Sequence, residues 1–214
     1  MRSSAPVPGN PWPSDMSITV EDRPHTLLEL LWLREAYDLH PEGEDIPPLL
    51  VDRPAAVHDP AVTAAVRDEW EAAWLRIWHA AVAHACRDGD PRLFVEIQTT
   101  ADGSLERADL LHRIVGPSGS DHFGDSAFDH ESHTTWSRRG MNAHLAAMPT
   151  RLEDQPERRD LAALIPAWRA GLTTIVTIPC AGEFTLRIGE NALLTTAATR
   201  EDSDSYRRAL SMFI

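Results

Sequence analysis

Lysine is absent from this 214-residue chain, and all 20 of its basic residues are arginine. The absence excludes catalysis through a lysine Schiff base and cofactors anchored on a lysine amine. It also excludes the phosphate-binding loop that ends in Lys-Ser or Lys-Thr. A GC-rich genome is one explanation, since alanine is abundant, and a surface that escapes lysine modification is the other.

Cysteine is scarce as well, with only Cys86 and Cys180 and no Cys-x-x-Cys pattern. Two cysteines in a chain of this size do not predict a disulfide framework. The first residues, Met-Arg-Ser-Ser-Ala-Pro-Val-Pro, lack the apolar stretch of a signal peptide. The longest uncharged run, residues 170–182, is too short to span a bilayer. Together these absences predict a cytoplasmic protein with free thiols and no membrane segment.

Positive charge is the third deficit, because the formal net charge is −13. The negative charge is spread along the chain and does not form a terminal tail. An acidic surface repels phosphate backbones and anionic lipid, so we expect neither nucleic-acid binding nor membrane docking. Hydrophobic residues make up 43% of the chain, which is enough for a packed core.

Proline, serine and aspartate are frequent in residues 1–25, and this composition predicts an extended arm packed on the body of the protein. Trp12, between two prolines, is the candidate anchor of the arm, because an aromatic ring held by prolines loses little entropy when it docks. Residues 26–214 are predicted to form a single domain. Its first helix begins at a capping box, Thr26 with Glu29.

The clearest predicted element is a long helix that bears three tryptophans. Asp59 as N-cap, Pro60 at the first helical position and Gly89 as the stop predict a helix that ends near Ala85. Trp70, Trp74 and Trp78 share one face of it, at i, i+4 and i+8. Two interpretations are open: a stripe of core residues, or an aromatic patch for a partner or an apolar ligand. Burial of all three indoles excludes the second.

The remaining elements define the fold class. Residues 92–100 alternate weakly and predict a strand, Ser104 caps a helix to about Val115, and a further helix covers 134–148. In the C-terminal part the spacing of the hydrophobic residues changes from that of a helix to that of a strand. Residues 173–178 predict a buried strand, 183–199 a hairpin, and Asp202 or Ser203 caps a final helix. We therefore predict an α+β fold, a largely helical body with a small, mainly antiparallel sheet near the C-terminus.

Groups that bind metals or move protons are concentrated in residues 121–133, which hold three of the ten histidines, three aspartates and a glutamate. A divalent metal site from His122, Asp125, His130 and His133 is geometrically reasonable, because His130 and His133 are i, i+3. The spacing matches neither His-Glu-x-x-His nor a cysteine-containing zinc motif. A solvated acidic loop with ordinary helix caps is the alternative.

Two acidic groups, around Glu42–Asp45 and around Asp68–Glu71, are interpreted as solvated faces. No nucleophile elbow and no Gly-x-Gly-x-x-Gly pattern is present, so we assign no catalytic residue. We expect a non-enzymatic cytoplasmic module that binds another protein or assembles with itself. The alternatives are a metal-dependent hydrolase built on residues 121–133 and a small-molecule binder beside Trp74.

Overall fold

The computed structural model describes residues 11–87 and 89–214, and it divides the chain into two compact units. Of the described residues, the sheet unit comprises 11–23, Pro47–Asp52 and Ser137–Ile214, and the helical unit comprises Pro24–Ile46 and Arg53–Trp136. Residues 1–10, the first part of the predicted arm, lie outside the described residues. The division into an arm at 1–25 and one domain at 26–214 stays a prediction.

Ten α-helices and four strands lie within the described residues, and the predicted α+β class is confirmed. The helices are α1 (His25–Ala36), α2 (Ala64–Ala85), α3 (Pro91–Thr99), α4 (Leu105–Val115), α5 (Ser120–Phe123), α6 (Glu131–Ala147), α7 (Pro156–Arg159), α8 (Leu161–Arg169), α9 (Ala197–Glu201) and α10 (Ser203–Ser211). The strands are β1 (Thr19–Glu21), β2 (Thr174–Ile178), β3 (Thr185–Ile188) and β4 (Ala192–Thr196).

Helix α1 is the central element of the helical unit, because eight of its 12 residues are buried. A helix that is apolar on all sides is stable only when other elements surround it. Its leucines Leu27, Leu30 and Leu31 have no exposed surface. Trp74 of α2 packs against it and donates its indole N–H to the Leu30 carbonyl oxygen at 2.9 Å.

Helix α2 has 22 residues and begins at Ala64, later than predicted. The side chain of Asp59 accepts a hydrogen bond from the Ala61 backbone N–H at 2.8 Å, so it caps a turn that precedes the helix. The helix itself is capped by Thr63, whose hydroxyl oxygen accepts from the Val66 N–H at 3.4 Å. The predicted start was therefore wrong by about one turn, because two capping residues of similar strength lie close together.

The strand predicted at 92–100 is wrong, since Pro91–Thr99 forms helix α3. Asp90 accepts a hydrogen bond from the Arg92 N–H at 2.9 Å, and Pro91 occupies the first helical position. Short apolar runs fit both periods, and the cap decides in favour of the helix. The next helix, α4, begins as predicted: Ser104 accepts from the Arg107 N–H at 3.1 Å.

The four strands of the sheet unit form one mixed sheet in the order β1-β2-β4-β3. β2 pairs in parallel with both β1 and β4, and only β3 and β4 are antiparallel. The hairpin predicted at 183–199 is confirmed for β3 and β4, although residues 197–199 begin helix α9, and the prediction of a mainly antiparallel sheet is wrong. β2 and β4 are buried along their whole length. β1 lies within the predicted arm, and its three residues are too few to show the alternating pattern that predicts a strand.

Helices α8 and α10 pack on the sheet and complete a core that includes Leu164, Leu172, Ile175, Leu193 and Leu210. The N-terminal residues of the unit are fixed on it through Trp12. Its indole N–H donates to the Met16 carbonyl oxygen at 2.9 Å, and the guanidinium of Arg158 lies 4.6 Å from its ring centre. Residues 11–23 of the predicted arm thus belong to the sheet unit, whereas residues 24 and 25 belong to the helical unit.

Candidate functional site

The four residues predicted to bind a metal lie in α5, in the turn after it and around the start of α6. His122 and Asp125 are exposed, in α5 and in the turn that follows it. His130 lies immediately before α6, and its Nδ1 accepts a hydrogen bond from the Ser132 N–H at 3.1 Å. His133 is half-buried, with its ring centre 4.7 Å from that of Trp32. Its Nδ1 donates to the Phe128 carbonyl oxygen at 3.2 Å.

These positions have a consequence for the metal hypothesis. In the part of the chain that the structure describes, no group of three or more His, Cys, Asp or Glu side chains is arranged to hold a metal ion. Burial lowers the pKa of His133 below its ordinary value, against the opposing charge of Glu29. His133 is therefore a packing residue of the aromatic core around Trp32, and His130 is a helix cap.

The three tryptophans of α2 differ in burial. Trp74 and Trp78 have no exposed surface, and their rings stack with centres 5.3 Å apart and planes 7° apart. They present no area to a partner. Trp70 is half-buried and lies edge-on to Tyr37, with ring centres 5.1 Å apart, and to Phe123 at 5.4 Å. The core interpretation thus accounts for Trp74 and Trp78, while Trp70 lies at the edge of the same cluster.

A concave surface lies on the opposite side of the Trp-bearing helix from these buried rings. It is an open cleft of about 750 Å³, which we call the acidic groove. Its lining comes from α2 and from the loop after α1, and it consists of His40, Pro41, Glu42, Asp68, Glu71, Ala72, Leu75, Arg76 and His79. Along α2 the groove runs from Asp68 to His79, about 16 Å at the helical rise.

The loop that forms the second wall is held in place by specific contacts. Glu71 accepts a hydrogen bond from the His40 backbone N–H at 2.9 Å, which joins the loop to α2. A Cβ at Gly43, whose φ is +145°, would overlap the side chain of Leu75. Asp38 and Asp45 adopt positive φ values of 54° and 60°, a conformation that aspartate tolerates better than most residues. The groove is therefore formed before any ligand arrives.

The charges of the groove are unbalanced. The lining contains three carboxylates, those of Glu42, Asp68 and Glu71, and one guanidinium, that of Arg76. Pro41, Ala72 and Leu75 contribute apolar atoms to the same lining. The sequence placed Glu42 and Asp68 in two separate solvated groups. Their convergence depends on the packing of the loop against α2, for which no local pattern exists.

A second concentration of charge lies in the sheet unit, and all of it is compensated. Arg200 donates to both carboxylate oxygens of Glu157 and to Asp22, each at 2.8 Å. The Tyr206 hydroxyl donates to Glu157 at 3.0 Å. Burial by itself raises the pKa of Glu157, but the hydrogen bonds and charge of Arg200 outweigh it, so that this pKa lies below its ordinary value. We call these four residues the ion network.

A neighbouring carboxylate extends this arrangement. Asp160 is almost fully buried and accepts hydrogen bonds from Arg207 and Arg159, each at 2.8 Å, and from the Ser203 hydroxyl. Arg159 also donates to the backbone carbonyl oxygen of Glu201 at 2.8 Å. The ion network and Asp160 therefore connect α7, α9 and α10, and they leave the acidic groove as the candidate binding site.

Comparison with known proteins provides no further assignment: no family model, no curated protein and no solved structure matches the chain. None of the helices in the described ranges is both long and apolar enough to cross a membrane.

The two cysteines are both buried and unbridged, and burial raises the pKa of the Cys86 thiol to about 12. Neither thiol is available as a nucleophile in the native protein.

Proposed function

We propose that this protein is a non-enzymatic cytoplasmic module that binds a cationic segment of a protein partner in the acidic groove. One observation carries the proposal: carboxylates from two elements, α2 and the loop after α1, border a shared cleft with an apolar floor. Such a cleft suits an arginine or lysine side chain, because the aliphatic stem packs on the floor while the charged head reaches a carboxylate.

The shape of the groove favours a peptide segment as its ligand. It is open and follows α2 for about 16 Å, a length that matches about three turns of helix. An amphipathic helix binds such grooves by its apolar face and is oriented by charges at the rim. The rim residues Glu42 and Asp68 are both exposed.

Two further properties support this function. The hydrogen bond from the His40 N–H to Glu71 fixes the loop, so that less conformational entropy is lost when a ligand binds. The net charge of −13 attracts cationic partners from a distance and raises their association rate at low salt. The same charge opposes nucleic acid and anionic lipid as ligands.

The test is a titration of the full-length protein against a fluorescein-labelled amphipathic peptide with leucine and arginine at helical spacing, followed by fluorescence anisotropy. We expect saturable binding that weakens as salt is raised, and no binding of a matched peptide with glutamate in place of arginine. The double variant Glu42→Gln/Asp68→Asn should bind about tenfold more weakly, since two charge pairs are lost.

A matched control separates the groove from the overall charge of the protein. Glu96→Gln/Asp109→Asn makes the same change of net charge at two exposed positions of α3 and α4. It should bind the arginine peptide like the wild type. Equal weakening in both double variants would mean that the peptide responds to net charge alone and would exclude the groove as the binding site.

A further inference from the structure

We propose that the cationic segment is supplied by a second copy of this chain, through the C-terminal part of α6 and the residues after it. This inference rests on the proposed function of the groove. We call residues 138–151 the basic segment. In this arrangement the basic segment of one copy lies in the acidic groove of another, and the copies join head to tail.

The basic segment presents an exposed apolar stripe. Within the described residues of α6 only Trp136 is buried, although the helix has 17 residues. Met141, Leu145 and Met148 have 45%, 58% and 54% of their surface exposed. They follow one another at i, i+4 and i+7, so they lie on one face of the helix and its extension. A stripe of this kind on a helix is the usual sign of a contact with another element.

The charge of the segment is opposite to that of the groove. No acidic residue occurs between Glu131 and Glu153, although the whole chain has a net charge of −13. Arg138 and Arg151 are exposed, and Arg151 forms a long, solvent-exposed ion pair of 3.7 Å with Glu153. Arg139 is bound to Asp52 at 2.9 Å and is left out of the contact.

The dimensions of the two surfaces agree. From Arg138 to Met148 the segment extends about 15 Å at the helical rise, against about 16 Å for the groove along α2. Methionine side chains adapt to irregular apolar surfaces, which suits a floor made of Ala72 and Leu75. With the apolar stripe on this floor, the two arginines reach the carboxylate rim.

The symmetry of such a contact gives it a distinctive signature. The groove and the basic segment are different surfaces, so the contact is heterologous, and a bound pair keeps one free groove and one free segment. Wild-type protein should therefore form a concentration-dependent series of oligomers. When a variant with a defective groove is mixed with a variant with a defective basic segment, a single contact should form. It joins the intact segment of the first variant to the intact groove of the second.

The experiment is sedimentation velocity on the full-length protein at low salt, over a range of concentrations. The groove variant is Glu42→Gln/Asp68→Asn and the segment variant is Arg138→Glu/Arg151→Glu, so that the two altered surfaces do not attract each other in the mixture. We expect the wild type to associate, each variant alone to sediment as a monomer, and their equimolar mixture to form a dimer and nothing larger. Either change of charge should raise the dissociation constant of the contact by at least about tenfold.

Two further variants guard against loss of folding and against a general effect of charge. Met141→Ser/Leu145→Ser removes apolar area at exposed positions and should weaken association without changing the circular dichroism spectrum. Arg92→Glu/Arg113→Glu makes the same charge change as the segment variant on α3 and α4, and it should associate like the wild type.

The possible results separate this inference from the function on which it rests. A wild type that stays monomeric while the arginine peptide still binds the groove overturns the second copy as partner and keeps the groove function. Failure of both the association and the peptide binding overturns both. Association of the wild type without dimer formation in the mixture overturns the head-to-tail contact.

Discussion

Glu157 in the sheet unit and Glu71 in the helical unit are two carboxylates in opposite surroundings. Glu157 is buried and bonded to Arg200 and Tyr206. Glu71 fixes one backbone N–H and shares an open cleft with two further carboxylates. A buried, paired charge such as that of Glu157 stabilises the fold, because its removal leaves a partner unpaired. An uncompensated charge at a preformed cleft is available to a ligand.

The largest effect is expected where the ion network is broken. Arg200→Met leaves Glu157 buried without its cation, and we expect the free energy of unfolding to fall by about 3 kcal/mol. Urea denaturation followed by circular dichroism measures this loss. Arg92→Met, at an exposed position of α3, serves as the control and should change stability by less than about 0.5 kcal/mol. A small loss at Arg200 would mean that the network does not stabilise the fold.

A smaller loss is expected at the hydroxyl of Tyr206. Tyr206→Phe removes the donor to Glu157 in a fully buried position, and we expect a decrease of about 1.5 kcal/mol in urea denaturation, since the acceptor is charged. In the Glu157→Gln background the same substitution should cost clearly less. Equal costs in the two backgrounds would show that the hydroxyl acts independently of the carboxylate.

The two units should also respond to acid in different pH windows. The pKa of His133 in the helical unit is lowered from 6.5, so the unfolded state binds the proton more readily and stability falls as pH drops below about 6.5. The pKa of Glu157 in the sheet unit is lowered from 4.5, so its contribution is complete above about 4.5 and is lost as pH falls further.

Single substitutions test which residue causes the loss of stability in each pH range. His133→Phe should flatten the stability profile below pH 6.5 and leave the window below 4.5 unchanged, whereas Glu157→Gln should do the reverse. Chemical denaturation at a series of pH values provides the measurement. A steeper profile in the His133→Phe protein below pH 6.5 would contradict the assigned sign.

The smallest effect on stability is expected in the groove. Glu42→Gln/Asp68→Asn removes two exposed charges that repel each other, so the free energy of unfolding should change by less than about 0.5 kcal/mol, in the stabilising direction. The same variant should lose peptide affinity. Thermal unfolding and fluorescence anisotropy on one preparation test both statements. A large loss of stability would mean that Glu42 and Asp68 stabilise the fold.

Most of the fold could be predicted where one residue fixes a local boundary. Ser104 caps α4 and Asp202 caps α10 as the sequence indicates, because a side-chain oxygen reaches an N–H two or three residues ahead. The failures include β1, with three residues, α3, whose period is ambiguous over nine residues, and the start of α2. The parallel pairing of β2 with β4 depends on strand order, which local sequence does not encode.

The candidate site was less predictable than the fold. The concentration of histidines at 121–133 was conspicuous in the sequence, but His130 and His133 serve as a cap and as a packing residue. The groove combines Glu42 with Asp68, which are distant in the chain and unremarkable by themselves. A signal for it was present only in Asp38, Gly43 and Asp45, residue types that permit the sharp turns of the loop.

The buried cysteines give each unit its own reporter of opening. Cys86 belongs to the helical unit and Cys180 to the sheet unit, and both are at most 3% exposed. A thiol-specific reagent modifies each one only when its surroundings unfold, so labelling kinetics read by mass spectrometry report two opening equilibria in one sample. Arg200→Met should accelerate the labelling of Cys180 more than that of Cys86, because each thiol reports the opening of its own unit.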